Sequence, residues 1–252
     1  MADMTELVKY AVAEGIATLT FDSPHNRNAL SRQLVTELYE RLDRAEADHE
    51  VKVVVIGAEG RVFCSGADLS EAAGGSMEEG ARGLVDLQRR IVAFPKPVVT
   101  RLYGAVRAGG IGIVAASDIA IASDDATFAL TEVKLALAPA AISLTVIPRM
   151  TSRAAALTFL TGETFSGAEA AEHGLVTRAV PADELDDAVA AVCAALVTGA
   201  PQGLRETKAL LARDLVERID SRGDDLAALS GRLFGSEAAK EAMLAFLNRK
   251  KK

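Results

Sequence analysis

Two glycine-containing turns carry backbone N–H groups that can hold a negatively charged oxygen. Residues 104–113 read Gly-Ala-Val-Arg-Ala-Gly-Gly-Ile-Gly-Ile after an apolar run, which predicts a buried turn that opens a short helix. At a helix N-terminus the first N–H groups lack an intrahelical acceptor, and the partial positive charge there favours an anion. Residues 63–69, Phe-Cys-Ser-Gly-Ala-Asp-Leu, lie about forty residues upstream and offer a matching N–H. Two such donors aimed at one oxygen would stabilise an ester or thioester enolate.

One glutamate, Glu132, is the candidate group for proton transfer. It lies between the apolar segments 128–130 and 135–138, so at least partial burial is expected. Burial would raise the pKa of this carboxyl towards neutrality, which suits a group that takes and gives a proton near pH 7. The position alone also permits a solvent-facing residue in a loop or at a strand edge.

The composition is that of an acidic globular protein. Half of the 252 residues are apolar, only 4% are aromatic, and the net charge is −7. This charge argues against a nucleic-acid partner, because binding the phosphate backbone requires clustered Lys and Arg. Cys64 and Cys193 are far apart and lack companions at metal-ligand spacing, so we expect neither a disulfide framework nor a metal site.

No segment has the pattern of a membrane span or of a secretion signal. The longest apolar run, residues 135–147, is interrupted by Pro139 and is too short to cross a bilayer. The first residues are acidic and polar, whereas a signal peptide begins with a basic flank and an apolar stretch. We therefore expect a cytoplasmic protein with no membrane partner.

The spacing of apolar residues predicts alternating strands and helices in the first half of the chain. A hairpin within 7–21, a helix with Ser31 as its N-cap, and a β-branched strand at 51–57 follow one another. A helix at 84–94 and a strand at 98–103 repeat the pattern. Such alternation implies an α/β protein with right-handed crossovers and a parallel sheet.

From Thr151 onward the sequence predicts helices only. The predicted helices are 151–160, 166–173, 185–196, 202–219, 226–233 and 236–248. We divide the chain into a core of residues 1–200, which carries the candidate site, and a C-terminal helical region of residues 201–252.

Several short segments occur in an order that is typical of one family. They are Asn28-Ala29-Leu30, the two glycine turns, and segments 128–139, 178–180 and 239–243. In these the chain resembles the crotonase superfamily, the enoyl-CoA hydratases and isomerases, from about Leu7 to Phe246. The resemblance implies a crotonase-like fold, in which a (ββα)n spiral core is followed by a C-terminal helical trimerisation region.

The resemblance also implies roles for individual residues. Family members bind an acyl-CoA and hold its thioester oxygen between two backbone N–H groups, which by position would belong to Ala67 and Gly109. Glu132 matches the glutamate that hydratases use at the β-carbon and isomerases use as a proton shuttle. The residues implied to contact CoA are Arg27, Ala29, Ser65, Asp68 and Leu69. Arg27 could instead be an unpartnered loop arginine, and Asp68 a helix cap.

Gly112 departs from the pattern of the best-known hydratases. These enzymes carry a second glutamate three residues after the glycine that corresponds to Gly109, and in this chain that position is Gly112. Three accounts follow. Glu132 alone positions the water for hydration; or the protein is an isomerase with Glu132 as its only base; or Gly112 makes room in the substrate pocket for a bulkier or carboxylated acyl group, with Arg107 as its counter-ion. A packed or exposed structural arginine is the alternative interpretation of Arg107.

We therefore expect an enoyl-CoA hydratase that acts on a trans-2-enoyl-CoA in fatty-acid or branched acyl-CoA metabolism. An isomerase, or a crotonase-fold protein that binds acyl-CoA with little catalysis, remains open. No cofactor is implied, because coenzyme A is part of the substrate. The resemblance implies a homotrimer or a dimer of trimers, although the apolar faces of the C-terminal helices could instead pack on the chain's own core.

Overall fold

The computed structural model describes residues 5–68, 71 and 77–249, the last four of these as backbone only. The strands are β1 (Val8–Ala13), β2 (Ile16–Phe21), β3 (Val53–Ala58), β4 (Val62–Cys64), β5 (Val98–Leu102), β6 (Ala105–Arg107), β7 (Ile119–Ser123), β8 (Thr127–Ala129), β9 (Thr164–Ser166) and β10 (Arg178–Val180). The α-helices are α1 (Arg32–Ala47), α2 (Met77–Val92), α3 (Gly109–Ala116), α4 (Ala140–Arg149), α5 (Ser152–Thr161), α6 (Gly167–Glu172), α7 (Leu185–Val197), α8 (Pro201–Phe234) and α9 (Glu237–Arg249). Short 3-10 helices cover Pro24–Asn26, Thr131–Leu135 and Ala182–Glu184.

The strands form two sheets that the chain visits in turn. The larger sheet has the order β1-β2-β3-β5-β7-β10 and the smaller one β4-β6-β8-β9. Three successive units, β3-β4-α2, β5-β6-α3 and β7-β8-α4, each give one strand to each sheet before the helix returns the chain. This repeated ββα spiral confirms the expected mixed α/β, crotonase-like fold.

The local sequence signals explain the first elements. β1 and β2 pair antiparallel and are joined by Glu14 and Gly15, both at positive φ, as the predicted hairpin requires. The Ser31 side chain accepts a hydrogen bond from the Leu34 N–H and begins α1 as predicted. β3 lies between β2 and β5, parallel to both, and its β-branched residues are buried on both faces, as a covered central strand requires.

The expectation of helices only beyond Thr151 is wrong. β9 pairs antiparallel with β8, and β10 pairs parallel with β7, so both sheets gain an edge strand from this region. Each of these strands has three residues, which is too short to show an alternating pattern in the sequence. The two helices predicted at 202–219 and 226–233 are also one continuous helix of 34 residues, α8.

Helix α8 packs across α2 and α4 and is tied to the larger sheet by Lys208. The buried Lys208 Nζ donates to the Ile91 and Lys96 carbonyl oxygens and to Asp118 Oδ2, at 3.1, 3.1 and 2.7 Å. Burial lowers the pKa of Lys208, and Asp118 opposes that shift. Asp118 Oδ2 also accepts from the Val98 N–H at 2.7 Å, so the same carboxylate connects α8 to the start of β5.

No single helix in the described part of the chain is long and apolar enough to span a membrane. The segments Ala182–Val197 and Pro201–Phe234 pass that test only as a pair, which is bent by 111°.

Gly104 and Gly60 offer a matched test of how closely the connection into β6 is packed. Both have φ of +78°, but a Cβ at Gly104 would lie 2.0 Å from the Arg61 carbonyl oxygen, whereas Gly60 has no neighbour within 4 Å. Gly60→Ala should cost about 1–2 kcal/mol for the left-handed conformation alone. Gly104→Ala should cost about 4 kcal/mol or more, because the backbone of β6 must also move. Urea denaturation of both variants measures the difference, and equal losses would contradict the close approach.

Candidate active site

A cavity of about 1550 Å3 lies at one edge of the smaller sheet and contains most of the predicted site residues. Its walls include residues from both glycine turns, from the 3-10 helix Thr131–Leu135, and from helices α2, α4, α8 and α9. The predicted residues that line it are Arg27, Ala29, Ser65, Ala67, Asp68, Arg107, Gly109 and Glu132. The sequence stretches that were predicted to act together therefore meet in space.

Three parallel strands deliver the central residues to this edge. β4, β6 and β8 are neighbours and run parallel, so their carboxyl ends lie side by side. Ala67 follows β4, Gly109 follows β6, and Glu132 follows β8. Each of the three ββα units thus contributes one of the three groups.

The two glycine turns are in direct contact. Gly66 has φ of +96°, and a Cβ there would lie 2.9 Å from Ala108 Cβ and 3.9 Å from the Gly109 nitrogen. Glycine is therefore required at 66 both by conformation and by the close approach of the other turn. This contact places Ala67 and Gly109 beside each other on the cavity wall.

Both turns present a backbone N–H without an acceptor. Gly109 is the first residue of α3, so its N–H has no partner inside the helix. Among the residues that the structure describes, neither the Gly109 N–H nor the Ala67 N–H donates a hydrogen bond. Two donors that share one cavity wall can stabilise negative charge on a single oxygen.

Asn28 connects the loop before α1 to the first glycine turn, residues 63–69, and to the strand before it. It has φ of +54° and is buried; its Oδ1 accepts from the Ser23 N–H and its Nδ2 donates to the Val62 carbonyl oxygen, both at 2.7 Å. The Leu30 N–H then donates to the Gly66 carbonyl oxygen at 2.8 Å. The short Asn-Ala-Leu segment therefore positions the wall that carries Ala29.

The residues expected to contact CoA lie at one end of the cavity. Ser65 Oγ donates to the Asn26 carbonyl oxygen at 3.1 Å, and Asp68 Oδ2 accepts from Asn26 Nδ2 at 2.9 Å. Arg27 is exposed, with φ of +59°, and its guanidinium has no partner in the described part of the chain. Leu69 lies outside the described residues.

Glu132 reaches into the cavity from the 3-10 helix Thr131–Leu135. Its Oε2 atom is enclosed and has no hydrogen-bond partner among the described residues. Burial raises the pKa of Glu132 to about 7, and a hydrogen bond from its own backbone N–H opposes the shift only in part. A carboxyl in this state can accept and return a proton at neutral pH.

Gly112 is placed differently from the expectation that it forms part of the substrate pocket. It is not among the residues that line the cavity, because α2 and α4 close over it. A Cβ at this position would lie 2.7 Å from Ile142 Cγ2 and 3.2 Å from Gln88 Oε1. Ile142 lines the cavity in front of it. No room is therefore left at 112 for a larger acyl group.

Arg107 lines the cavity from β6 and is half-buried. Its guanidinium donates to the carbonyl oxygens of Val106 and Thr127 and to Thr127 Oγ1. It forms no ion pair with any described residue. The side chain is therefore both packed against the sheet and open to the cavity.

Comparison with known proteins identifies the family of the chain. The family model described as enoyl-CoA hydratase/isomerase matches residues 11–252. A Bacillus subtilis protein named as a probable enoyl-CoA hydratase is 34% identical over 250 residues, which is 97% of this chain and 96% of that protein. The chain belongs to the enoyl-CoA hydratase/isomerase family.

Other members of the family differ in the reaction that their names state. An enoyl-CoA hydratase from Mycobacterium avium has a crystal structure with a TM-score of 0.92, at 44% identity over 98% of both chains. A peroxisomal Δ(3,5)-Δ(2,4)-dienoyl-CoA isomerase from Arabidopsis thaliana is 28% identical over 263 residues, covering 98% of this chain and 95% of that one. The names of these relatives therefore agree on the family and differ between hydration and isomerisation as the reaction.

The sequence did not identify the apolar walls of the site. They come from α2, α4, α8 and α9, and include Leu84, Leu87, Ile142, Phe234 and Met243. On a helix, such residues have the same spacing as core residues, so the pattern does not distinguish a cavity wall from a packed face. Helix α9 in particular lies over the 3-10 helix that carries Glu132.

Among the described residues, no group of three or more His, Cys, Asp and Glu side chains is arranged to hold a metal ion.

The burial of Glu132 predicts a pH-dependent cost in stability. Because its pKa is raised from 4.5 to about 7, the folded state holds the proton longer than the unfolded state does, and stability is lost as pH rises through that interval. Glu132→Gln should remove this loss, so its free energy of unfolding relative to the wild type should rise by about 2 kcal/mol between pH 5 and pH 8.

Glu169→Gln is the matched control, measured by the same denaturation at both pH values. Hydrogen bonds from Ser166 lower the pKa of Glu169, so this variant should lose stability relative to the wild type as pH rises. The same sign of change in both variants would show that Glu132 is not buried as described.

Gly112→Glu tests whether the missing second carboxyl can simply be restored. The contacts of a Cβ with Ile142 and Gln88 predict a loss of about 3 kcal/mol or more from overpacking, and no gain in turnover. Gly203→Glu is the control, because a Cβ there has no neighbour within 4 Å. Thermal denaturation of both variants measures the effect; equal melting temperatures with faster turnover for Gly112→Glu would contradict the packing.

Proposed function

We propose that the protein is an enoyl-CoA hydratase that adds water to a trans-2-enoyl-CoA. The observation that carries the proposal is the enclosed carboxyl of Glu132, whose Oε2 has no hydrogen-bond partner in the described part of the chain and whose pKa burial raises to about 7. It shares one cavity with the Ala67 and Gly109 N–H groups, which donate to no described residue. An enolate reaction needs these two elements, a site for negative charge on the thioester oxygen and a nearby acid–base group.

In the proposed reaction the thioester oxygen accepts hydrogen bonds from the Ala67 and Gly109 N–H groups. Ionised Glu132 takes a proton from water as the water oxygen bonds to C3, and the electron pair of the double bond moves to form the enolate. Glu132 then returns the proton to C2, which gives the 3-hydroxyacyl-CoA. Each N–H donor is expected to lower the barrier by about 3 kcal/mol, as in other sites of this kind.

The use of one carboxyl for both proton steps follows from the packing at Gly112. The position has no side chain to carry a proton, and Ile142 and Gln88 occupy the space beside it. Glu132 therefore acts first as a base and then as an acid, which is most efficient for a group whose pKa lies near the working pH.

Isomerisation is the second candidate, because moving a double bond needs only one shuttling base. The plant dienoyl-CoA isomerase among the relatives supports it. A protein that binds acyl-CoA with little catalysis is a third candidate, suggested by the missing second glutamate, although the position of Glu132 weighs against it.

The proposal includes the binding and assembly that the family resemblance implies. CoA would lie along Arg27, Ala29, Ser65 and Asp68, at the end of the cavity where these residues line the wall.

A homotrimer or a dimer of trimers is supported by the exposed leucines of α8, of which Leu211 is 80% accessible in the single chain. Two unpaired cysteines are consistent with a cytoplasmic location. The reaction needs no cofactor besides the CoA of the substrate.

The decisive experiment follows the loss of the conjugated enoyl absorbance of crotonyl-CoA. The wild type should hydrate it, with kcat/KM rising through about pH 7 as Glu132 ionises. Glu132→Gln should lower kcat by about 10²- to 10⁴-fold, while the exposed control Glu163→Gln should leave it unchanged. Turnover of 3-enoyl-CoA alone would identify an isomerase instead. If the wild type and Glu132→Gln were equally inactive on 2-enoyl-CoA and 3-enoyl-CoA, the proposal that the protein is an enzyme would be refuted.

A further inference from the structure

Arg107 is a cation in the cavity wall that has no acidic partner among the described residues. Burial lowers its pKa, and no carboxylate in the described part of the chain opposes that shift. Other arginines of the chain, such as Arg41, Arg90 and Arg101, pair with aspartate or glutamate side chains. A half-buried charge without a counter-ion is costly, and an anion that enters the cavity would remove that cost.

The three hydrogen bonds of Arg107 leave one edge of its guanidinium open. Nη1 donates to the Val106 and Thr127 carbonyl oxygens at 2.9 and 2.5 Å, and Nη2 donates to Thr127 Oγ1 at 3.1 Å. Because Thr127 accepts from both terminal nitrogens, it occupies the edge between them. No described residue accepts from the Nε–H or from the second Nη2–H, and these two N–H bonds point the same way along the neighbouring edge of the guanidinium. This is the fork that binds two oxygens of a carboxylate or a phosphate.

The same hydrogen bonds fix where the fork lies. Thr127 is opposite Ala105 in the β6–β8 register, so the guanidinium is turned back along β6, away from Gly109. Ala105 and its partner in the neighbouring strand, Val62, both line the cavity. A group bound to Arg107 would therefore lie away from Gly109 and would not compete with the two N–H donors.

We propose that the open edge of Arg107 binds an anionic oxygen group of the substrate, either a carboxylate on the acyl group or a phosphate of the CoA. The proposal rests on the proposed function for the nature of the ligand, an acyl-CoA. It adds a residue that selects substrates by charge, at a position that Glu132 and the two N–H donors do not use. A lysine would keep the charge but not the two-oxygen fork.

The test measures the dissociation constants of four unreactive thioesters by calorimetry. Butyryl-CoA, butyryl-pantetheine, glutaryl-CoA and glutaryl-pantetheine combine the presence or absence of phosphates with the presence or absence of an acyl carboxylate. Each is measured with the wild type, Arg107→Met, Arg107→Lys, and the control Arg101→Met, whose guanidinium pairs with Asp186 and does not line the cavity.

If Arg107 binds a phosphate, Arg107→Met should weaken both CoA ligands by about tenfold or more and leave both pantetheine ligands unchanged. If it binds the acyl carboxylate, both glutaryl ligands should weaken by that factor and both butyryl ligands should not. Arg107→Lys should show the same pattern with a smaller loss, and it supplies the answer if Arg107→Met does not fold. Arg101→Met should bind all four ligands as the wild type does.

An equal change for all four ligands, or no change for any, would overturn the proposal for Arg107. These outcomes are separate from failure of the proposed function, since binding of unreactive ligands does not require turnover. A wild type that binds none of the four would overturn both, whereas a wild type that binds them without later hydrating crotonyl-CoA would leave the assignment of Arg107 standing.

Discussion

The site depends on one constraint, a helix that must begin inside the protein without a cap. All eight residues of α3 are buried, and Ala108, which precedes it, makes no side-chain hydrogen bond to the helix. A serine or aspartate there would accept from the N–H of the second or third helical residue and stabilise the helix. However, the Cβ of Ala108 already lies against Gly66 of the other turn, which leaves little space for a larger side chain. The chain instead holds Ala108 at φ of 45° and ψ of −119°, a strained conformation that costs about 1–3 kcal/mol.

The packing around that helix start follows from the same constraint. Gly110 has no side chain because a Cβ would lie 2.7 Å from Cys64 Cβ, and Gly66 has none because Ala108 fills the space. Cys64 is fully buried, and burial raises the pKa of its thiol to about 12, so it serves here as a small packing residue. Close contact between the turns brings two N–H groups from distant parts of the sequence to the wall of the same cavity.

The sequence predicted the elements whose patterns are local. The Ser31 cap, the β-branched run of β3 and the glycine turns each depend on residues within one element, and the structure confirms them. The strands β9 and β10 could not be seen, because three residues acquire a strand conformation only by pairing with β8 and β7. The cavity walls and the surroundings of Gly112 and Arg107 depend on helices that meet only in the folded chain. The proximity of Ala67, Gly109 and Glu132 could be predicted because the family resemblance, rather than periodicity, linked these three residues.

The neighbourhood of Gly112 explains why the proposed reaction relies on one carboxyl. Behind it, buried Gln88 donates from Nε2 to the Leu84 and Ala141 carbonyl oxygens at 3.1 and 3.2 Å, and its Oε1 accepts from Thr145 Oγ1 at 2.6 Å. The amide has thus used both donors, and none is left to stabilise a carboxylate placed next to it. A second acid at 112 would be buried, crowded and without a donor from this pair. That space is filled by the contact of α2 with α4, so the proposed reaction relies on Glu132 and on the near-neutral pKa that burial gives this residue.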